Sequence, residues 1–222
     1  MFVETMTLTF ALAFLTMIIL LPIGILAGYY FYYSKGWLKL VFEVLVWLPL
    51  VLPPTVLGFY LLLALSPQSP LGAFLLEHFN VKLVFSFGGI LLGSVIFGLP
   101  FMIQPIKSGL FALSDNLQRA SFTLGRGKLY TLFKVLLPNI KPSILIACVG
   151  TFIHAVGEFG VVMMIGGNIE GKTKVASIAI VDEVEMINYS LAHQYALTLF
   201  LTSFILLFVM LYINKRFLND RA

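Results

Sequence analysis

The sequence predicts one all-α membrane domain of about five transmembrane helices over residues 1–222, and three observations carry that prediction. Of the 222 residues, 60% are hydrophobic and only 11% charged, with a mean hydropathy of +1.01, outside the range of soluble globular chains. Apolar runs recur along the whole length, each long enough to cross ~30 Å of hydrocarbon as a helix. The Lys and Arg residues are sorted between alternate connections rather than spread evenly. The net charge of +4 therefore requires no nucleic-acid partner. The one cysteine, Cys148, lies in an apolar run and has no partner for an internal disulfide.

In chain order, the first run covers about residues 7–33, and Gly24 and Gly28 within it form a GxxxG that permits close helix approach. The preceding MFVETM has an acid and no Lys or Arg, so a retained span is expected rather than a cleaved signal. A short basic turn, Ser34 to Lys39, leads to a second run at about 40–65 that holds Pro49, Pro53 and Pro54. Prolines in mid-span release carbonyls that neighbours or a cavity must satisfy, so either a packing irregularity or a bend beside a path is expected. Residues 66–85 form a more polar connection. The third run, about 86–106, carries Gly89, Gly93, Ser94 and Gly98 at roughly one-turn spacing, suited to tight packing. Two further runs follow at about 143–165 and 191–213. Between them, Thr173 to Tyr189 mixes Asp182, Glu183 and Glu185 with Val and Ile. It is too charged to cross and too apolar for a free loop, and is expected at the outer membrane face.

The loop at about 107–142 is the longest polar interruption. Within SDNLQRASFTLGRGKLYTLFKVLLPNIKP, from Ser114 to Pro142, Ala120, Ser121 and Leu124 fit one face of a short helix that Gly125 can end. Tyr130, Leu132, Phe133 and Leu136 continue as a second apolar-faced segment up to Leu137-Pro138. Two short amphipathic helices joined at a glycine make a surface for another protein to dock against. If this loop is cytoplasmic, inside segments hold Lys35, Lys39, Lys107, Arg119, Arg126, Lys128, Lys134, Lys141, Lys215, Arg216 and Arg221, against Lys82, Lys172 and Lys174 outside. That bias sets the N-terminus outside and the C-terminus inside.

Two motifs invite a chemical reading. Gly166 to Thr173 fits G-x-x-x-x-G-K-T letter for letter. A phosphate-binding loop needs a strand before it and a helix after it; here an apolar span precedes and the segment falls outside, so the match is coincidental. His154 and Glu158 stand four apart in the fourth run, and ionisable residues at membrane depth suggest a functional site. They fit a structural or gating pair beside a pathway better than direct contact with an anion, which a carboxylate repels. Two ligands on one helix fall short of a metal site, no nucleophile is paired with His154, and no catalytic residue or cofactor is expected.

The loop pattern Ala120, Ser121, Gly125, then Val135, Leu137 and Pro138, resembles the cytoplasmic loop of ABC-importer permeases, with Arg119 at the place of the family's usual acidic residue. LPLVLPPTVLGF at Leu48 to Phe59, GEFG at Gly157 to Gly160 and GGNIEGKT at Gly166 to Thr173 narrow the resemblance to the molybdate, tungstate and sulfate group. His154 stands where many relatives carry Arg. The resemblance implies a type I importer permease fold in a bacterial inner membrane and a homodimer with one path between its copies. It also implies cytoplasmic ATPase subunits under the docking loops, supplying the hydrolysis, and an extracytoplasmic oxyanion-binding protein. Arg119, Ala120, Ser121, Gly125, Leu137 and Pro138 then form the coupling loop, with Thr151, His154, Gly157, Glu158, Gly160 and Asn168 as pathway or gate candidates. A self-sufficient secondary carrier or channel is the alternative of another class, although no internal repeat supports it.

Overall fold

Three helices carry the architecture: α1 (Phe2–Tyr33), α5 (Phe87–Phe111) and α9 (Lys141–Gly157). The computed structural model describes residues 1–219; Arg221, counted above among the inside charges, lies outside the described residues. The GxxxG of α1 is the notch into which α5 fits. A Cβ at Gly24 would fall 2.5 Å from Met102 Cγ, and one at Gly28 would fall 2.9 Å from Ile106 Cγ2. The small-residue band of α5 serves the other neighbours, with Gly98 against Leu20 and Gly93 against Val161 and Ile165. Leu20, Met102, Ile106 and Leu110 form the main buried cluster together with Leu132, Leu136, Leu137 and Ile140 from the polar loop.

Two of the apolar runs are broken. The run at 40–65 is two helices, α2 (Trp37–Val51) and α3 (Pro54–Leu65), bent by 111°. The cause is Pro53-Pro54: a residue before proline is pushed out of the helical region, and Leu52 and Pro53 are extended with ψ of 141° and 133°. The run at 143–165 is likewise not one helix. α9 stops at Gly157, Glu158 is extended (φ −68°, ψ 129°), and α10 (Gly160–Gly166) starts afresh, packing on α3 and α5. The connection 66–85 contains α4 (Pro70–Phe79), which the Ser69 hydroxyl caps by accepting from Gly72 N and Asn80 ends in a left-handed conformation.

The third span runs five residues further than its hydrophobicity suggests, to Phe111, and the chain turns through Ala112 and Leu113 into Ser114, the cap of α6 (Asp115–Thr123). After α6 come α7 (Lys128–Thr131), a π-helical turn at Leu132–Leu136 and α8 (Leu137–Asn139). Then α9 leaves at 78°. The mixed segment 173–189 contains α11 (Ala176–Glu185), packed on α12 (Tyr189–Asn219). α1, α5 and α12 are each long and apolar enough to cross a membrane, and the bent segments bring the spans to as many as five.

Candidate coupling loop and membrane pathway

α6 ends in a Schellman motif. Gly125 is left-handed (φ 73°), Arg126 N donates to Ser121 O at 3.1 Å and Gly125 N to Phe122 O at 2.9 Å. Gly125 meets no other atom within 4 Å of a would-be Cβ, so its identity is a matter of backbone conformation. Ser121 turns inward, and its hydroxyl lies 2.8 Å from that of buried Thr131. Ala120, Ser121 and Leu124 do not share one face: Leu124 is the C-cap and is 78% exposed, while Ser121 is buried. Arg119 and Ala120 are exposed on the same short helix, and Leu137 and Pro138 sit at the root of the unit, Leu137 in the core. Its outward surface mixes exposed Leu117, Phe122, Leu124, Leu129, Tyr130 and Phe133 with exposed Arg119, Arg126, Lys128 and Lys134. The sequence reading missed how α6 is tied back. Gln118 Nε2 donates to Tyr33 OH at 2.7 Å, at the end of α1. The only hint was the Tyr-rich close of the first run.

The pathway candidates divide into three places. Thr151 is fully buried on α9; Thr16 and Thr151 flank Gly98, where a Cβ would lie 3.6 Å and 3.7 Å from their methyl groups. His154 stacks on Phe101 (centroids 3.8 Å apart) and against Phe97 (4.8 Å). Glu158 is 4% exposed, and among the described residues neither carboxylate oxygen has a hydrogen-bond partner. The neighbouring Ser94 hydroxyl faces it without reaching hydrogen-bond geometry. His154 and Glu158 are not joined, because Glu158 has left the helix that would stack one above the other. Both glycines of GEFG flank the break unequally: Gly157 is open, while a Cβ on Gly160 would fall 2.7 Å from Pro54 Cβ. Asn168 lies apart from these, in the loop after α10.

That loop is an ionic turn, tied by its contacts to Asp182 of α11. Asn168 Nδ2 donates to both Asp182 oxygens (3.1 and 2.9 Å), and Lys174 Nζ lies 2.7 Å from Asp182 Oδ2. Burial alone would lower the Lys174 pKa, but the hydrogen bond and charge of Asp182, with Glu170 adding to them, hold it above the usual lysine value. For Asp182 burial pushes up, and the bonds from Lys174 and Asn168 outweigh it and hold the carboxyl below its usual value. The phosphate-loop lookalike is part of this turn. It follows a helix, and the amides of Lys172, Thr173 and Lys174 all donate to Ile169 O instead of opening toward a ligand.

The comparisons with known proteins fall on this geometry. The family described as binding-protein-dependent transport system inner membrane component matches residues 20–219. The molybdenum transport system permease protein ModB of Azotobacter vinelandii is 41% identical over 211 residues, 95% of this chain and 92% of that one. The sulfate transport system permease protein CysT of Salmonella typhimurium is 31% identical over 175 residues, 79% of this chain and 63% of that one. Among solved structures, a bacterial ABC transporter involved in the import of alginate matches with a TM-score of 0.79 over 97% of this chain and 79% of that chain. Its 15% identity makes this a likeness of fold. The match spans α6, the two helix breaks and the ionic turn alike, and the chain belongs to the inner membrane permease family of binding-protein-dependent transport systems.

Proposed function

We propose that the chain, as a homodimer in a bacterial inner membrane, forms the path by which an ABC importer takes up a tetrahedral oxyanion, with molybdate the substrate. The observation that carries the substrate is the 41% identity over nearly the full length of a molybdenum permease. Sulfate is the second reading, supported by the 31% identity to a sulfate permease. Cytoplasmic ATPase subunits dock on the exposed surface of α6, around Leu117, Arg119 and Phe122, and supply the hydrolysis, and an extracytoplasmic binding protein delivers the anion. The homodimer is supported by α12, whose apolar surface is almost wholly uncovered. The orientation rests on the charge bias. α1 fits it, with Glu4 beside Gly171 at one end and Tyr33 beside Gln118 at the other.

The chemistry suits passage rather than capture. A path that bound a dianion tightly would not release it, and Thr16, Ser94 and Thr151 offer hydroxyls without fixed charge. Glu158, at the break between α9 and α10, acts in gating instead of anion contact. The deciding experiment is uptake of labelled molybdate by cells lacking their own importer and supplied with this chain, its ATPase and its binding protein. Uptake competed by excess tungstate and not by sulfate is expected. Sulfate uptake that molybdate does not compete would transfer the assignment to sulfate.

A further inference from the structure

α6 is attached to the rest of the chain by very little. Ser121 is its one buried residue. Among the described residues, two side-chain hydrogen bonds leave it for other elements, Ser121 to Thr131 of α7 and Gln118 to Tyr33 of α1, and Asp115 interacts with the Tyr32 phenol of α1 as well. The first leads into the π turn and α8, whose Leu132, Leu136 and Leu137 lie in the main cluster. The second leads somewhere different. Tyr33 is the last residue of α1. Its ring packs against Tyr29 (4.5 Å) and Tyr32 (5.1 Å), and Lys128 at the start of α7 lies 5.9 Å from its centroid. Tyr33 therefore gathers α1, α6 and α7 at one phenol.

The far end of α1 is fixed to the outer segment. Thr9 Oγ1 accepts from Ala176 N, the first residue of α11, at 2.8 Å, and both Thr9 and Ala176 are fully buried. A 32-residue helix is about 48 Å long. It joins the docking helix to the outer ionic turn without a break in the helix, whereas the second and fourth apolar runs are both interrupted.

We infer that Tyr33 is a positioning residue. Its hydrogen bond with Gln118 is the strut through which displacement of α6 moves α1, and through α1 the outer segment at Ala176. This rests on the transport reading above, since it supposes that an ATPase moves α6. The loss of either leaves the Ser114 cap of α6, its Schellman end and its exposed Leu117 and Phe122 intact. The bond sets how much of each hydrolysis event reaches the membrane path.

The test uses the chain reconstituted in proteoliposomes with its ATPase and binding protein, reading ATP hydrolysed per molybdate imported beside ATPase retention. Tyr33→Phe and Gln118→Leu are expected to retain ATPase and hydrolyse ATP, yet to raise the ATP used per anion by about fivefold or more. The double variant should add nothing to Tyr33→Phe, since the bond that Gln118→Leu removes is already absent there. Gln118→Glu, whose carboxylate can accept from the Tyr33 hydroxyl, should restore wild-type coupling. A wild-type ratio in Tyr33→Phe, additive effects in the double variant, or loss of ATPase retention would each overturn the strut. A wild-type chain that neither retains ATPase nor imports would overturn the transport reading and the strut with it.

Discussion

Gly125 shows how one residue decides a surface. Its left-handed backbone closes α6 with two hydrogen bonds, and a side chain there costs roughly 1 kcal/mol or more in that conformation. Gly125→Asp should insert and fold normally but fail to retain ATPase in a pull-down from detergent. Gly127, at φ −73° and equally uncrowded, should tolerate the same change. The Lys174–Asp182 pair is the second residue-scale case. Asp182 is depressed, so its contribution is present above its ordinary value of 3.8 and is lost as pH falls through the lowered one. Lys174 is raised, so its contribution is present below 10.5 and is lost as pH climbs through the raised value. The turn should thus hold a stability plateau across neutral pH. Asp182→Asn, leaving buried Lys174 only the longer 3.6 Å contact with exposed Glu170, should lower that plateau by about 1–3 kcal/mol, read as earlier thermal melting in detergent at pH 7. No change on melting would mean that the ion pair is dispensable.

At the scale of elements, the breaks matter more than the helices. The chain passes through Pro53-Pro54 and through Glu158-Phe159, and the two breaks meet, because Gly160 lies under Pro54. Gly160→Val should force these segments apart and destabilise by about 1–3 kcal/mol, as overpacking does. Gly157→Val, facing open space, should be milder in fold, and thermal melting of the two variants separates them. Much of this was legible beforehand. The prolines announced the first break, and the spacing around Gly125 announced α6. The second break was not legible, since Gly157 and Gly160 are as common in membrane helices as in turns. Nor was the burial of Leu132 and Leu136, because a π turn changes which residues face inward while the polar neighbours Lys128, Lys134 and Lys141 suggest an aqueous segment. The expected His154–Glu158 pair assumed a continuous helix, and the same break keeps the two side chains from bonding each other.

For the whole molecule, α1 offers a ruler for orientation. Glu4→Cys should react with an impermeant thiol reagent from outside intact cells, and Leu124→Cys only after the inner face is opened. The reverse pattern would invert the proposed topology. The three long helices also differ in a telling way. α5 is the least apolar of them and the most enclosed, while α1 and α12 are more apolar and less covered. The glycine notch of α1 is made before Met102 and Ile106, which fill it and are synthesised only after the whole of α2, α3 and α4. During that interval α1 lacks the α5 side chains that fill its notch, and its high apolarity favours staying inserted without them. α5 reaches a membrane in which α1 already waits, and it can therefore carry the glycines, Ser94 and Gln104 that a lone inserting helix would bear at a cost.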